Sequence, residues 1–184
     1  MAKNKTRKAK RVAPVGSSPK KNKPAKTKWW ILFLLVPAII AFIYTSIPKS
    51  KAPVGPRFQK EGELIIQRGD QAIAQLDIEI ADNQADISQG LMYRPEMEED
   101  HGMLFLMPDT DMQSFWMLNT EISLDIIFIG EDKRIINVGA NTTPRSLDPV
   151  QSTAPARYVL EVNAGYFQRK GLAVGDELSW QRVE

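Results

Sequence analysis

The side chains able to do chemistry fall in a few short stretches. In SLDIIFIG, residues 123–130, alternation sets Leu124, Ile126 and Phe128 on one face and Asp125, Ile127 and Ile129 on the other. Asp125 therefore shares its side with two large apolar residues. In YVLEVN, residues 158–163, Glu161 likewise shares a face with Val159 and Asn163. A carboxylate on an apolar face must be paired, hydrogen-bonded or protonated, because an unpaired buried charge costs too much. Arg94 and Arg157 are the candidate ion partners, and Asn119 and Thr120 the candidate hydrogen-bond donors. Three readings follow. Arg94, Asn119, Thr120, Asp125 and Glu161 form a polar cleft that binds a small polar ligand; or Asp125 and Glu161 act as the carboxyl pair of an acid–base hydrolase, which their separation would decide; or these groups pair with turn amides and hold loops together, since structural networks perturb ionisation too.

Other chemistries are poorly provided for. The chain has no Cys, which excludes a disulfide framework, thiolate metal sites and a thiol nucleophile. Its one His, His101, excludes a poly-histidine metal site and leaves a single base for any Ser–His mechanism. There is no Gly-rich phosphate loop, no Gly-x-Ser-x-Gly elbow and no zinc signature, so no cofactor or metal is expected and no catalytic residue is assigned. Six of the seven Met lie between Met92 and Met117, near His101. A thioether site for Cu(I) would draw on Met97, His101, Met107 and Met112, whereas Met92, Met103 and Met117 read as core residues filling irregular gaps. Glu96, Glu98, Glu99 and Asp100 read as a solvated loop without the ligand spacing of an EF-hand. Phe115 and Trp116 point to opposite faces if their segment is a strand, one into the core and one free to stack on a sugar or a partner.

Short strands must position these groups. Glu63–Arg68 and Ala72–Ile80 flank a Gly69-Asp70 turn as a hairpin, and in the second strand Gln75, Asp77 and Glu79 read as the wet face. A helix is expected from an Asp82 N-cap, with Ile87 and Leu91 on one side and Pro95 as its stop. Strands are expected at Met103–Met107, Gln113–Leu118, Leu124–Ile129, Arg134–Asn141, Arg157–Val162 and Glu177–Arg182. Asn163 is expected to cap a short helix ended by Gly171. The fold class is mainly β (α+β), a compact barrel-like or curved mixed sheet with two short helices.

Charge divides the chain. Residues 1–60 carry 15 of the 24 Lys and Arg and none of the 22 Asp and Glu, so residues 61–184 hold nine basic against 22 acidic groups, a net of −13. Residues 1–28 contain eleven Lys or Arg with few apolar residues and read as a disordered tail. Residues 29–47, WWILFLLVPAIIAFIYTSI, run without a charge for a length of about 28 Å at helical rise, which matches a bilayer. They read as a transmembrane helix, an uncleaved signal-anchor touching lipid, with Trp29, Trp30 and Tyr44 at the interfaces. The basic flank places the N-terminus in the cytoplasm and residues 61–184 outside, in the periplasm or beyond the cell. A cleaved signal peptide is the alternative, but the charged region is long and no small-x-small site follows. A nucleic-acid-binding arm is the other alternative; topology and anionic lipid account for the tail's charge without it, so no nucleic acid partner is expected. Residues 48–60, with Pro48, Pro53 and Pro56, read as a semi-rigid stalk.

GLMYR at 90–94, GMLFLM at 102–107, SFWMLNTEISLDIIFIG at 114–130 and YVLEVNAGYFQRKGLAVGDEL at 158–178 stand in an order that resembles the domain of unknown function 192 family. The resemblance covers nearly all of residues 61–184. It implies a small, largely β domain of bacteria and archaea, often secreted or membrane-anchored, with no assigned activity. Leu118 stands where the family often has Lys before Asn-Thr, and Ser123 where it often has Pro before Leu-Asp. The functional expectation is a membrane-anchored extracytoplasmic module that binds a small polar molecule or an envelope glycan; the alternatives are the hydrolase and a structural or partner-binding domain.

Overall fold

The computed structural model describes residues 55–183. The expected tail at 1–28, the membrane span at 29–47 and the first part of the stalk lie outside the described residues. Among the described residues no helix is long and apolar enough to cross a membrane.

Among the described residues nine strands and two short helices follow one another as β1 (Gly62–Arg68), β2 (Gln71–Ala81), α1 (Gln84–Gln89), β3 (His101–Asp111), β4 (Ser114–Phe115), β5 (Leu124–Ile129), β6 (Ile135–Gly139), β7 (Val150–Gln151), β8 (Ala156–Asn163), α2 (Tyr166–Arg169) and β9 (Glu177–Arg182). Seven of them form one sheet in the order β6-β5-β8-β3-β2-β1-β9, while β4 and β7 make a separate two-stranded ladder. The sheet is mixed: β2 and β3 run parallel, joined through α1, and the other pairs are antiparallel. It does not close into a barrel. Its edges, β6 and β9, form no ladder; among the described residues they are linked at one bridge between Arg134 and Glu177, with Ile135 N–H donating to Asp176 O, Gly175 N–H to Ile135 O and Leu178 N–H to Lys133 O, each at 2.9 Å.

The alternation of each strand loads both faces of the sheet. One face gathers Leu64, Leu76, Ile78, Leu104, Ile127, Ile129, Leu160 and Val162 under Tyr166 of α2. The other gathers Met103, Phe105, Leu124, Ile126, Phe128 and Val159 under Leu91 and Met117. β5 has all six residues buried because both faces are covered and β6 and β8 flank it. This is why its sequence is a nearly unbroken apolar run.

Several local expectations need correction. The N-cap of α1 is Asn83, not Asp82: its side chain accepts from Ala85 N and Asp86 N, both at 3.1 Å, while Asp82 pairs with Arg182. Gly90 ends the helix at φ +47. Asn163 stays in β8 and donates to Met97 O and Glu98 O at 3.0 and 2.9 Å, so it does not cap α2; that helix starts after Gly165 at φ +77. The strand expected over Gln113–Leu118 pairs only at Ser114–Phe115, because the chain turns at Asn119, φ +57, with Thr120 N–H bonded to Met117 O at 3.0 Å.

Residues 55–60 lie against the domain. Phe58 stacks on His101 with ring centroids 3.7 Å apart, and Gln59 N–H donates to Glu79 Oε1 at 3.1 Å.

Candidate functional site

The strand register decides what the two buried carboxyls can do together. In the β5–β8 ladder Ile126 pairs with Glu161 and Asp125 with Val162. Residues opposite one another share a face, so Asp125 and Glu161 look to opposite sides of the sheet.

Asp125, fully buried, is spent on backbone. Oδ1 accepts from Asn141 N at 2.8 Å and from Gly165 N at 3.0 Å, and Oδ2 accepts from Phe167 N at 2.9 Å. Two of these donors belong to the start of α2, so the carboxylate caps a helix from a neighbouring strand and also ties down the loop after β6. Asn119 and Thr120 are likewise held in a turn: Asn119 O accepts from Tyr93 N at 2.9 Å, and Thr120 O accepts from Arg145 N at 3.1 Å. Arg157 donates to Pro108 O and among the described residues meets no carboxylate.

Glu161 lies in a row that crosses the sheet on the other face, Glu79 on β2, Met103 on β3, Glu161 on β8 and Ile126 on β5. Glu79 is buried against the expectation of a wet face, because α1 and the segment after it fold back over this end of β2. Arg94 is buried beside it, with Nη2 donating to Glu79 Oε1 at 2.9 Å. Nη1 sits 2.5 Å from Oε2 but out of hydrogen-bond alignment, so that contact is coulombic, and Arg94 Nε and Glu79 Oε2 have no hydrogen-bond partner among the described residues. The local signal for Glu79 was the helix that begins five residues after it, which has to cover one face of the strand it leaves.

The Glu161 carboxyl makes no hydrogen bond to any of the described residues. Only 5% of the residue is exposed. Burial pushes its pKa up to about 8, and the nearby Arg94 charge only partly opposes that. The carboxyl opens into a cavity of about 220 Å³ between the end of α1 and the Gln113–Thr120 segment. Phe105 and Glu161 line it together with Met92, Met107 and Phe115, and Trp116 stands among its walls with 56% of its surface exposed. Phe115 is packed edge-on to Phe105 and Phe128 at 5.1 and 6.1 Å, so of the two adjacent aromatics one is core and the other free. Gly90 keeps the cavity open: a Cβ there would lie 3.2 Å from the Phe105 ring and 3.8 Å from Glu161 Oε2.

Of the expected site residues, Glu161 and Thr120 line this cavity and Arg94 acts on Glu161 through space. Asn119 shapes its wall as a turn residue, and Asp125 belongs to the opposite face. The residues considered for copper do not gather in one place. Met107 lines this cavity, Met97 and His101 border a separate hollow, and Met112 is exposed. Among the described residues no three His, Asp or Glu side chains converge as metal ligands would. In the acidic loop, Glu99 pairs with Arg169 at 2.7 Å and Asp100 with Lys170 at 3.0 Å.

The model of one family, domain of unknown function 192, described as "Uncharacterized ACR", matches residues 64–180, well over half of the chain. The chain belongs to this family. Its fold is similar to those of solved structures, two of which follow. A protein of unknown function from Novosphingobium aromaticivorans is 36% identical with a TM-score of 0.64, over 72% of this chain and 95% of its own. A protein from Sinorhizobium meliloti described as a "putative transcription regulator" is 38% identical with a TM-score of 0.63, over 68% of this chain and 96% of its own. Among curated proteins, none matches the chain. In this domain of unknown function 192, all four sequence motifs bear on the cavity or its supports: GLMYR supplies Gly90, Met92 and Arg94, GMLFLM supplies Met103, Phe105 and Met107, SFWMLNT supplies the outer wall, and YVLEVN supplies Glu161.

Proposed function

We propose that the protein is a binding module, anchored in the cytoplasmic membrane through residues 29–47 and displayed outside it, that holds a small polar ligand between Glu161 and Trp116. The observation that carries this reading is the state of Glu161: a buried carboxyl with no hydrogen-bond partner among the described residues, lining a cavity that the exposed Trp116 also lines. Asp125 has both oxygens filled by backbone donors and Glu79 is paired with Arg94. A carboxyl left unfilled beside an accessible cavity is arranged for something that arrives.

The acid–base hydrolase is not carried forward, since its two carboxyls would have to share one cleft. Nor does the description of the Sinorhizobium meliloti protein transfer readily. Residues 61–184 carry a net of −13, which opposes contact with a phosphate backbone.

The test is a thermal-shift screen of the full chain against neutral sugars, amines and short peptides, run in parallel on Trp116→Ala. A ligand at about 100 times its Kd adds about 2.7 kcal/mol to stability. Hits that raise the melting temperature of the wild type but not of Trp116→Ala support the cavity as the site. Hits unaffected by Trp116→Ala would move the site elsewhere.

A further inference from the structure

Among the described residues, Glu161 is the one ionisable side chain that lines the cavity. The other charges on its face, Glu79 and Arg94, neutralise each other, with both Nη atoms of Arg94 turned to Glu79. Once ionised, Glu161 would leave this end of the sheet with one uncompensated buried negative charge. The remaining lining combines aromatic rings and thioethers, Phe105, Phe115, Trp116, Met92 and Met107, with aliphatic and uncharged polar residues, among them Gln113, Ser114 and Thr120. Ring faces attract cations, and among the described residues no Lys, Arg or His lines the cavity to hold an anion. The acidic surface of residues 61–184 adds a field that draws cations toward the domain.

Resting on the cavity proposed above, we infer that it takes a small organic ammonium ion, with the charge set on the Glu161 carboxylate and the apolar or ring body laid against Trp116 and Phe115. The ion completes the charge balance: Glu79 with Arg94, Glu161 with the ligand. Without ligand the carboxyl holds its proton near neutrality, since burial has raised its pKa to about 8. Entry of the cation therefore displaces that proton. One proton leaves to buffer for each ammonium bound, and no covalent bond changes.

Benzylamine against benzyl alcohol, and glucosamine against glucose, test this on the full chain by titration calorimetry in two buffers of different ionisation enthalpy. Each pair differs in the amine alone. The expected result is saturable binding of at least one amine and much weaker binding of its neutral partner, with close to one proton released near pH 6.5. Benzylamine affinity should rise about tenfold from pH 6 to pH 7, because the ionised fraction of a group titrating near 8 does so. Glu161→Gln, checked by its melting curve to be folded, should lose both the binding and the pH slope, and Trp116→Ala should weaken binding several-fold while leaving the slope. Equal binding of amine and neutral partner without proton release would overturn the ammonium assignment and leave the cavity as a site for neutral ligands. Binding of none of the four would also overturn it, and a positive result in the broader screen would then still uphold the binding module. Amine binding unchanged in both variants would overturn the assignment to this cavity.

Discussion

Asp125 and Glu161 sit on adjacent strands one residue apart in register, and the sheet lies between their carboxyls. On one side, three backbone N–H groups fill the Asp125 oxygens. On the other, Glu161 lines a cavity with no hydrogen-bond partner for its oxygens among the described residues. Two carboxyls of similar burial thus have opposite surroundings, one bonded into the fold and one lining a cavity.

Asp125→Asn should damage folding. An amide offers one acceptor oxygen where the carboxylate offers two, and its NH₂ would face donors already present. Hydrogen bonds to a charged group are each worth about 1.5–3 kcal/mol, so a loss of about 2–4 kcal/mol is expected in urea denaturation. A variant as stable as wild type would show that Asp125 does not hold the α2 start and the loop after β6.

Arg94→Met should cost about 3–5 kcal/mol, because it strands Glu79 as a buried charge without its partner. The double variant Glu79→Leu with Arg94→Met removes both charges and should recover most of that loss. A double-mutant cycle by chemical denaturation measures the coupling. If the double variant is as unstable as the single one, the pair matters for something beyond its own charge balance.

The strands of this fold were legible wherever a pattern was local. The unbroken apolar run of Leu124–Ile129 marked a strand buried on both faces, and Gly69-Asp70 marked a hairpin, with Gly69 at φ +59. Within each strand the faces were legible too, and both Asp125 and Glu161 were visible as buried carboxyls. Whether they shared a face was not, because that depends on the pairing of Ile126 with Glu161 across more than thirty residues of chain, and a shift of one residue would reverse the answer. Glu79 was missed for a related reason. Alternation places it on the solvent side, and only the return of α1 and Arg94 over the strand end buries it. Asn163 had the composition of a cap, but its amide is taken by the Met97 and Glu98 carbonyls, partners more than sixty residues away.

The orientation proposed for the chain can be read with single cysteines, since the native sequence has none. Met112→Cys falls on an exposed position of the domain, and Ser17→Cys on the basic tail. With the cytoplasmic membrane intact, a membrane-impermeant maleimide should label Met112→Cys and reach Ser17→Cys only after lysis. The reverse pattern would place the domain in the cytoplasm and remove the case for an envelope ligand.

Glu161 should also leave a signature in stability against pH. Its pKa is about 8 in the folded chain and near the ordinary 4.5 once unfolded. Between those values the native state keeps a proton that the unfolded state has released. Stability therefore falls as pH rises through this window, having been fully present below about 4.5 and lost by the time pH passes 8. The total is on the order of a few kcal/mol. Glu161→Gln removes the titration while keeping a similar shape, so its denaturation midpoint should decline less between pH 5 and 8 and should exceed that of wild type at pH 8. Parallel curves for the two proteins would mean that Glu161 is already ionised and paired at neutral pH, and the cavity would then have no uncompensated carboxyl to offer a ligand.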